Sequence, residues 1–263
     1  MRVRGRADLF FIATLGWTMP MMQPLWSSAP PTLTLLEHHV HVWRSSLQRS
    51  ATELAELIQT LSPDEQQRAE RFRFPIHQQR FIAGRGILRS LLSQYLQCDP
   101  ASLNFRYGTQ GKPELQVAAE QPHLQFNLAH SDDLAVYAIA RTAPVGIDLE
   151  KIRAIADLSQ LTHRWFSAQE HAAIQAVSPT EQAATFFQYW TCKEAVLKAR
   201  GQGVGELKLV EIALDNNRGN PVWLQPEPDL MPTWQLRLFT PAPDFIAALA
   251  VHTPQLQVAF WQW

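Results

Sequence analysis

The chain has 263 residues, 46% of them apolar and 10% aromatic, which is enough for the core of one large domain or two modest ones. Its formal net charge of −1 excludes a global basic field of the kind that attracts nucleic acid or an anionic membrane, so any anion site must be local. Cys98 and Cys192 lie far apart without CxxC spacing, which argues against a disulfide framework or a zinc site and favours a reducing compartment, the cytoplasm.

The first thirty residues superficially resemble a secretory signal, because basic residues precede an apolar run from Leu9 to Ala13. The run is short, it is broken before Pro20, and no small-residue cleavage site follows. We therefore expect residues 1–30 to be a disordered or spurious extension. No other stretch is long enough to cross a bilayer.

Hydrophobic period and capping residues predict the elements that follow. They are a strand at Val40–Trp43, helices opening at Ser50 and Ser62, a helix over Arg80–Leu96, and strands at Leu103–Tyr107, Leu124–Leu128 and Leu134–Arg141. Arg80, Arg85 and Arg89 are distributed around the third helix and form a small positive zone. The alternative is an ordinary solvated face.

Two further features, between Gly108 and His130, are compatible with phosphate binding. Gly108 to Leu115 is a rigid turn in which glycines surround Lys112, so backbone amides and an ammonium can approach a phosphate, although the P-loop spacing is absent. His130 follows a predicted strand, at a position where ligands often collect in sheet proteins. A solvated turn histidine is the alternative.

The strand Val145–Glu150 places Asp148 and Glu150 on one face and turns Ile147 and Leu149 toward a core. Adjacent carboxylates repel each other, so they must face water or share a cation. A solvated acidic edge strand is as compatible with the pattern as a cation site.

A long helix over Thr180–Arg200 carries charges on an otherwise apolar pattern. Lys193 falls on or beside the apolar stripe and needs a partner, and Glu194 and Lys198 share one face. The alternative is a surface helix with one weak ion pair. Upstream, Ser167 and Glu170 have capping-box spacing, which is a complete structural explanation of Glu170.

Beyond Gly205 the chain alternates polar and apolar residues. The segments are Leu207–Leu214, the surroundings of Trp223, Trp234–Phe239, Ile246–Val251 and Val258–Trp261, with a turn signal at Asp215–Gly219. This pattern predicts a C-terminal antiparallel sheet.

Asp148, Glu150 and Glu194 are oxygen ligands without cysteine, a set that suits Mg²⁺ better than zinc. Mg²⁺ commonly shares its coordination with substrate phosphates. The positive groups Arg85, Lys112, His130, Lys193 and Lys198 are then explained as partners of a polyphosphate. The residues together indicate a metal and pyrophosphate site.

Four motifs in order are similar to the signature of the surfactin-type 4′-phosphopantetheinyl transferases. They are Gly111-Lys112-Pro113, Phe126 to Ser131, Val145 to Glu150, and Trp190 to Ala195 with Lys198. The resemblance covers roughly residues 40 to 255. One departure is Ala129, where many members have serine before the motif histidine, and its expected effect is on coenzyme A affinity.

The resemblance implies an α+β fold of two similar halves, residues 31–143 and 144–263, with a ligand cleft between them. By the family's pattern Asp148, Glu150 and Glu194 hold Mg²⁺. Lys112 and His130 contact coenzyme A phosphates, Lys193 and Lys198 face the pyrophosphate, and Arg85 lies in a segment with further nucleotide contacts. Glu194 or Glu170 would accept the proton of the attacking serine.

The implied reaction transfers 4′-phosphopantetheine from coenzyme A to a serine of an apo acyl, peptidyl or polyketide carrier protein and releases adenosine 3′,5′-bisphosphate. We expect a cytoplasmic monomer without nucleic-acid or membrane partners. The alternative hypotheses are a Mg²⁺-dependent nucleotide phosphohydrolase and a non-catalytic module that binds coenzyme A or carrier proteins.

Overall fold

The computed structural model describes residues 21–116, 123–214, 221–224 and 234–263. Its helices are α1 (Ala51–Gln59), α2 (Pro63–Glu70), α3 (Pro75–Leu96), α4 (Leu158–Trp165), α5 (Ala168–Ala176) and α6 (Pro179–Arg200), with short 3-10 helices η1 (Pro100–Ser102) and η2 (Val204–Leu209). Its strands are β1 (Ser27–Ser28), β2 (His39–Ser46), β3 (Asn104–Tyr107), β4 (Pro113–Gln116), β5 (Gln125–Ser131), β6 (Leu134–Ala140), β7 (Val145–Lys151), β8 (Glu211–Leu214), β9 (Pro221–Leu224), β10 (Trp234–Phe239), β11 (Phe245–His252) and β12 (Gln257–Gln262).

The first half of the chain packs one long helix on one face of a sheet. β2, β6 and β5 form antiparallel neighbours, and α3 buries Ile87, Leu88 and Leu91 against them. The hydroxyl of Tyr137, on β6, donates to the carbonyl of Gly84 at 3.2 Å and ties sheet and helix together. This burial of apolar side chains between the two layers is the main stabilising contribution.

The second half repeats the same order of elements. β7, α4–α6, η2, the hairpin β8–β9 and the pair β10–β11 correspond to β2, α1–α3, η1, the hairpin β3–β4 and the pair β5–β6. α3 and α6 each contain 22 residues, begin with a proline and end at a cap residue of positive φ, Gln97 and Gly201. The predicted α+β fold of two similar halves is confirmed.

The sheets of the two halves meet where β5 lies beside β7. Ser131 Oγ, on β5, accepts the backbone N–H of Lys151 at 3.1 Å, and Asn127 accepts that of Ile147. Side chains of one half therefore fix the edge strand of the other. The candidate functional groups collect along the line where β5 and β7 meet.

The last strand does not follow the expected division between residues 143 and 144. β12 returns to the first half and pairs in parallel with β2. The other edge of β12 pairs in parallel with β1. Trp26 packs on Phe239 and Phe260. The expected disorder is therefore wrong for residues 21–30, whereas residues 1–20 lie outside the described residues.

The structure confirms some of the local predictions and corrects others. The predicted helix starts at Ser50 and Ser62 and the predicted capping box of Ser167 and Glu170 are confirmed. The predicted C-terminal antiparallel sheet is only partly correct, because η2 replaces the start of the strand at Leu207 and β12 joins the other sheet in parallel. The turn signal at Asp215–Gly219 lies outside the described residues. Among the described helices, none is both long and apolar enough to span a membrane.

Candidate functional site

β7 presents two carboxylates beside a buried face. Ile147 and Leu149 are 0% and 2% exposed in the core, so Asp148 and Glu150 point the other way, as the alternation predicted. Asp148 is itself buried and Glu150 is half-buried. A buried carboxylate requires compensating partners, and α6 supplies one of them.

α6 approaches β7 very closely at Gly146. A β-carbon on this glycine would lie 2.0 Å from the carbonyl oxygen of Ala195 and 2.4 Å from the backbone nitrogen of Ala199. The missing side chain therefore allows the backbones of strand and helix to touch. This contact brings Glu194, on α6, to the same pocket as Asp148.

Lys198 is the cation that α6 contributes. Its Nζ donates to Asp148 Oδ1 at 2.6 Å and lies 3.5 Å from the carbonyl oxygen of Ile147. Burial alone would lower the pKa of Lys198, but the carboxylates of Asp148, Glu194 and Glu150 raise it above its usual value. The ammonium is therefore held charged among three acids.

The surroundings of Glu194 favour its uncharged form, whereas those of Lys198 favour the charged form. Burial first, and then the neighbouring Asp148 carboxylate, raise the pKa of Glu194 to about 7 despite the nearby Lys198. One more positive charge placed among these acids would stabilise all of them in the ionised form.

These groups share one cavity of about 490 Å³, which we call the acidic pocket. Its walls include Asp148, Glu150, Glu194, Lys198, His130 and Trp190. Desolvation and the positive charges of Lys198 and Arg80 lower the pKa of His130. The neutral imidazole can then donate a hydrogen bond from one nitrogen and accept at the other.

A larger cavity of about 670 Å³, which we call the basic cavity, adjoins the acidic pocket and shares His130 and Glu150 with it. Its cationic walls are Arg68, Arg80, Arg85, Lys151 and Arg153, and its other walls include aromatic rings such as Phe72. Cations and aromatic surface together suit a ligand that carries phosphates and a planar base.

Three cations of this cavity, Arg68, Lys151 and Arg153, were not predicted from the sequence. Lys151 is the last residue of the acidic strand and pairs with Asp132 at 2.9 Å, and Arg153 lies two residues further on and pairs with Glu150 at 3.0 Å. Arg68 lies over the ring of Phe81, 5.2 Å from its centroid. The clustering of basic residues around Arg68 was a signal that could have indicated it.

Arg85 and Lys112 were predicted to contact phosphates, and in the structure both side chains have protein partners. Arg85 Nε donates to Glu65 Oε1 at 2.8 Å and its Nη2 to the hydroxyl of Tyr107, so most of its guanidinium is engaged at the cavity wall. Lys112 Nζ donates to the carbonyls of Lys198 at 2.7 Å and Val145 at 3.2 Å. Lys112 thus joins the end of α6 to the start of β7.

Glu170 and Lys193 lie outside both cavities, contrary to the expectation of catalytic and pyrophosphate-binding roles. They are 1% and 0% exposed, and Lys193 Nζ donates to Glu170 Oε2 at 2.6 Å and to the carbonyl of Val210. The prediction that Lys193 needs a partner is confirmed, but the partner is a protein carboxylate.

A cation site can be judged from the chemistry of its donors. Within the described part of the chain, no three His, Cys, Asp or Glu side chains are gathered closely enough to hold a metal ion as they stand. However, Asp148 Oδ2 is buried without a hydrogen-bond partner, and the acids of the acidic pocket offer only hard oxygen donors. The donor set therefore fits Mg²⁺ in kind, and holding an ion would require Glu150 to leave Arg153 and Lys198 to leave Asp148.

Two family models match adjacent stretches of the chain. The model described as the 4′-phosphopantetheinyl transferase superfamily matches residues 144–250, and that described as 4′-phosphopantetheinyl transferase, N-terminal, matches residues 43–142. Together they cover both halves.

The proteins similar to this chain include two sequence relatives and one solved structure. The 4′-phosphopantetheinyl transferase HetI of Nostoc sp. is 42% identical over 243 residues, 92% of this chain and 100% of that protein. AcpT of Escherichia coli, also a 4′-phosphopantetheinyl transferase, is 38% identical over 133 residues, 51% of this chain and 63% of that protein. A solved holo-(acyl-carrier-protein) synthase from Bacillus anthracis, in complex with CoA (3′,5′-ADP), is 21% identical with a TM-score of 0.34 and covers 42% of this chain and 95% of that one.

Proposed function

The chain belongs to the 4′-phosphopantetheinyl transferase superfamily, and we propose that it transfers the 4′-phosphopantetheine group of coenzyme A to a serine of an apo carrier protein. In this reaction the serine Oγ forms a bond to the β-phosphorus of coenzyme A. The bond from that phosphorus to the bridging oxygen breaks, and adenosine 3′,5′-bisphosphate leaves. The serine proton passes to a protein carboxylate.

One observation carries the proposal within the structure. The acidic pocket, with Asp148, Glu194 and Lys198, opens beside the basic cavity, and His130 and Glu150 belong to the walls of both. A ligand whose base and outer phosphate occupy the basic cavity would extend its diphosphate past His130 toward the acids. Transfer at the diphosphate then takes place at the junction of the two cavities.

Asp148, Glu150 and Glu194 are the residues that would hold Mg²⁺. When bound, the ion would neutralise charge that builds on the leaving oxygen of the diphosphate. The orphaned Asp148 Oδ2 and the raised pKa of Glu194 support this assignment, since both indicate a lack of positive charge.

The chain's own cations take the remaining parts. Lys198, freed from Asp148, would contribute its ammonium to the same oxygens, and His130 would contact a phosphate from the other side of the pocket. Of the two carboxylates considered as acceptor of the serine proton, only Glu194 lines the pocket.

The proposal extends to the division of the chain into halves, its oligomeric state, its localisation and its partners. The two family models meet between residues 142 and 144, which supports a division into halves at 143 for the matched residues, 43–250. We propose a monomer that acts in the cytoplasm on fatty-acid, polyketide or non-ribosomal peptide carriers, without nucleic-acid or membrane partners.

The test is direct transfer. The protein is incubated with apo carrier proteins of each class, coenzyme A and Mg²⁺, and intact mass spectrometry follows the phosphopantetheine adduct. A carrier whose serine is replaced by alanine is the control. Release of phosphate without an adduct would support a phosphohydrolase, and binding of coenzyme A without turnover would support a non-catalytic module. Either result would end the proposal.

A further inference from the structure

The contact between Lys193 and Glu170 joins three elements behind the acidic pocket. Glu170 Oε2 accepts the backbone N–H of Ser167 at 2.8 Å, and Oε1 accepts that of Ile212, on β8, at 2.9 Å. Both oxygens accept from Lys193 Nζ, which also donates to the carbonyl of Val210. α5, α6 and β8 are therefore connected through one carboxylate and one ammonium, and neither group lines the acidic pocket or the basic cavity.

The first half contains a similar arrangement, in which the carboxylate also pairs with Arg85 at the wall of the basic cavity. Glu65, like Glu170, is the third residue of a helix and accepts the N–H of its capping serine, Ser62, at 3.2 Å. Its carboxylate pairs with Arg89, which occupies the same position in α3, counted from Pro75, as Lys193 occupies in α6, counted from Pro179. Arg89 also donates to the carbonyl of Leu103 at 3.0 Å, just before β3, as Lys193 donates to that of Val210 just before β8.

The two halves differ at the positions that carry chemistry. The residues of α3 that match Glu194 and Lys198 are Ser90 and Gln94, which have no charge. The buried pair thus occurs in both halves, while the acidic pocket occurs in one. A contact that is present without the acids cannot owe its existence to their chemistry.

We infer that Glu170 and Lys193 are positioning residues, which set the rotation of α6 so that Glu194 and Lys198 face Asp148. Successive helical residues differ by about 100° around the axis. Anchoring Lys193 to α5 and β8 therefore fixes the direction in which the next side chain, Glu194, leaves the helix. The inference rests on the proposed function for the role of Glu194, but not for the placement of the pair.

A double-mutant cycle separates positioning from catalysis. Lys193→Met leaves a buried carboxylate unpaired and should lower the melting temperature more than Glu170→Gln/Lys193→Met, in which the pair is neutral. The matched control is Arg106→Met with Glu114→Gln, an exposed ion pair whose single and double variants should show no such coupling.

Transfer kinetics of the double variant give the second readout. Positioning predicts a kcat within about tenfold of the wild type, an unchanged KM for coenzyme A and a several-fold weaker affinity for Mg²⁺ by calorimetry. A general base at Glu170 predicts a loss of roughly 10² to 10⁴-fold in kcat in a folded protein with unaltered Mg²⁺ affinity. That result would overturn the inference.

Amine labelling of the wild-type protein tests the placement even if the double variant does not fold. Reductive methylation followed by peptide mass spectrometry should leave Lys193 unmodified with or without coenzyme A, while Lys208, which is exposed and lines neither cavity, reacts in both cases. Labelling of Lys193 that coenzyme A suppresses would show that it faces the ligand and would refute the inference. A wild-type protein that transfers nothing would instead refute the proposed function, and the stability cycle and labelling would still decide the placement.

Discussion

Asn127 Oδ1 accepts the backbone N–H of Ile147 at 2.8 Å, and this bond connects β5 of the first half to β7 of the second. Both residues are buried, and Ile147 immediately precedes Asp148. β7 pairs with β11 on one edge, so its other edge depends on side chains of β5 for hydrogen bonds. The position of the acidic pocket relative to the basic cavity follows from this contact.

Asn127→Ala should therefore destabilise the protein and misplace Asp148. It leaves the Ile147 N–H buried without a partner, at a cost of about 1–3 kcal/mol in the free energy of unfolding. Urea unfolding measures this cost, and transfer kinetics should show a lower kcat. Asn104→Ala, at an exposed asparagine on β3, is the control. Equal unfolding free energies for the two variants would contradict the argument.

Gly146→Ala should separate β7 from α6. The added methyl group would meet the carbonyl of Ala195 at 2.0 Å, so backbone must move, and overpacking of this kind costs about 1–3 kcal/mol or more. We expect a lower melting temperature and a loss of transfer activity, because Glu194 moves with α6. Gly205→Ala is the matched control, since a β-carbon there meets nothing within 4 Å. A Gly146→Ala protein with wild-type stability and activity would show that the close approach is not required.

Asp148→Ala and Glu194→Ala should each abolish transfer while the fold persists, because both side chains line a pocket. Glu194→Gln should leave the melting temperature equal or higher, since it removes a like charge beside Asp148. Mass spectrometry of the carrier gives activity, and thermal unfolding gives stability. Glu56→Gln, on an exposed position of α1, controls for the loss of a carboxylate. Near-normal transfer by either alanine variant would remove that residue from the proposed metal site.

Local pattern was sufficient for much of the fold. The alternation in Val145–Glu150 placed Asp148 and Glu150 on one face, and the spacing of Ser167 and Glu170 identified a helix start, because both signals act over a few residues. The return of β12 to the first sheet was not predictable in this way. Strand pairing over such a distance depends on the packing of both halves and leaves no local pattern.

In the candidate site, too, local pattern predicted some residues, and others could be identified only from the fold. Glu194 and Lys198 were recognised because they share a helical face, whereas Lys193 was assigned to the ligand although its partner is Glu170. The sequence showed a charge on an apolar stripe but not which of several opposite charges it meets. Arg153 was missed for the corresponding reason, since only the fold brings it to the basic cavity.

Acid stability should depend on His41, which lies in the core of the first half. Its Nδ1 is 2.7 Å from the hydroxyl of Tyr95, and burial, followed by the charge of His39, lowers the pKa of His41 from 6.5 to about 4. Above pH 6.5 the ring is neutral in both folded and unfolded chains, and its full contribution is present. Between pH 6.5 and about 4 the unfolded chain binds a proton that the folded protein does not, so stability falls as the pH falls, by up to about 1.4 kcal/mol per pH unit.

In His41→Gln this component disappears, because an amide does not titrate. Urea unfolding of both proteins between pH 4 and 7.5 should therefore show a smaller loss of stability for the variant at low pH. Parallel curves across this range would mean that His41 is protonated as readily in the folded protein as in the unfolded chain.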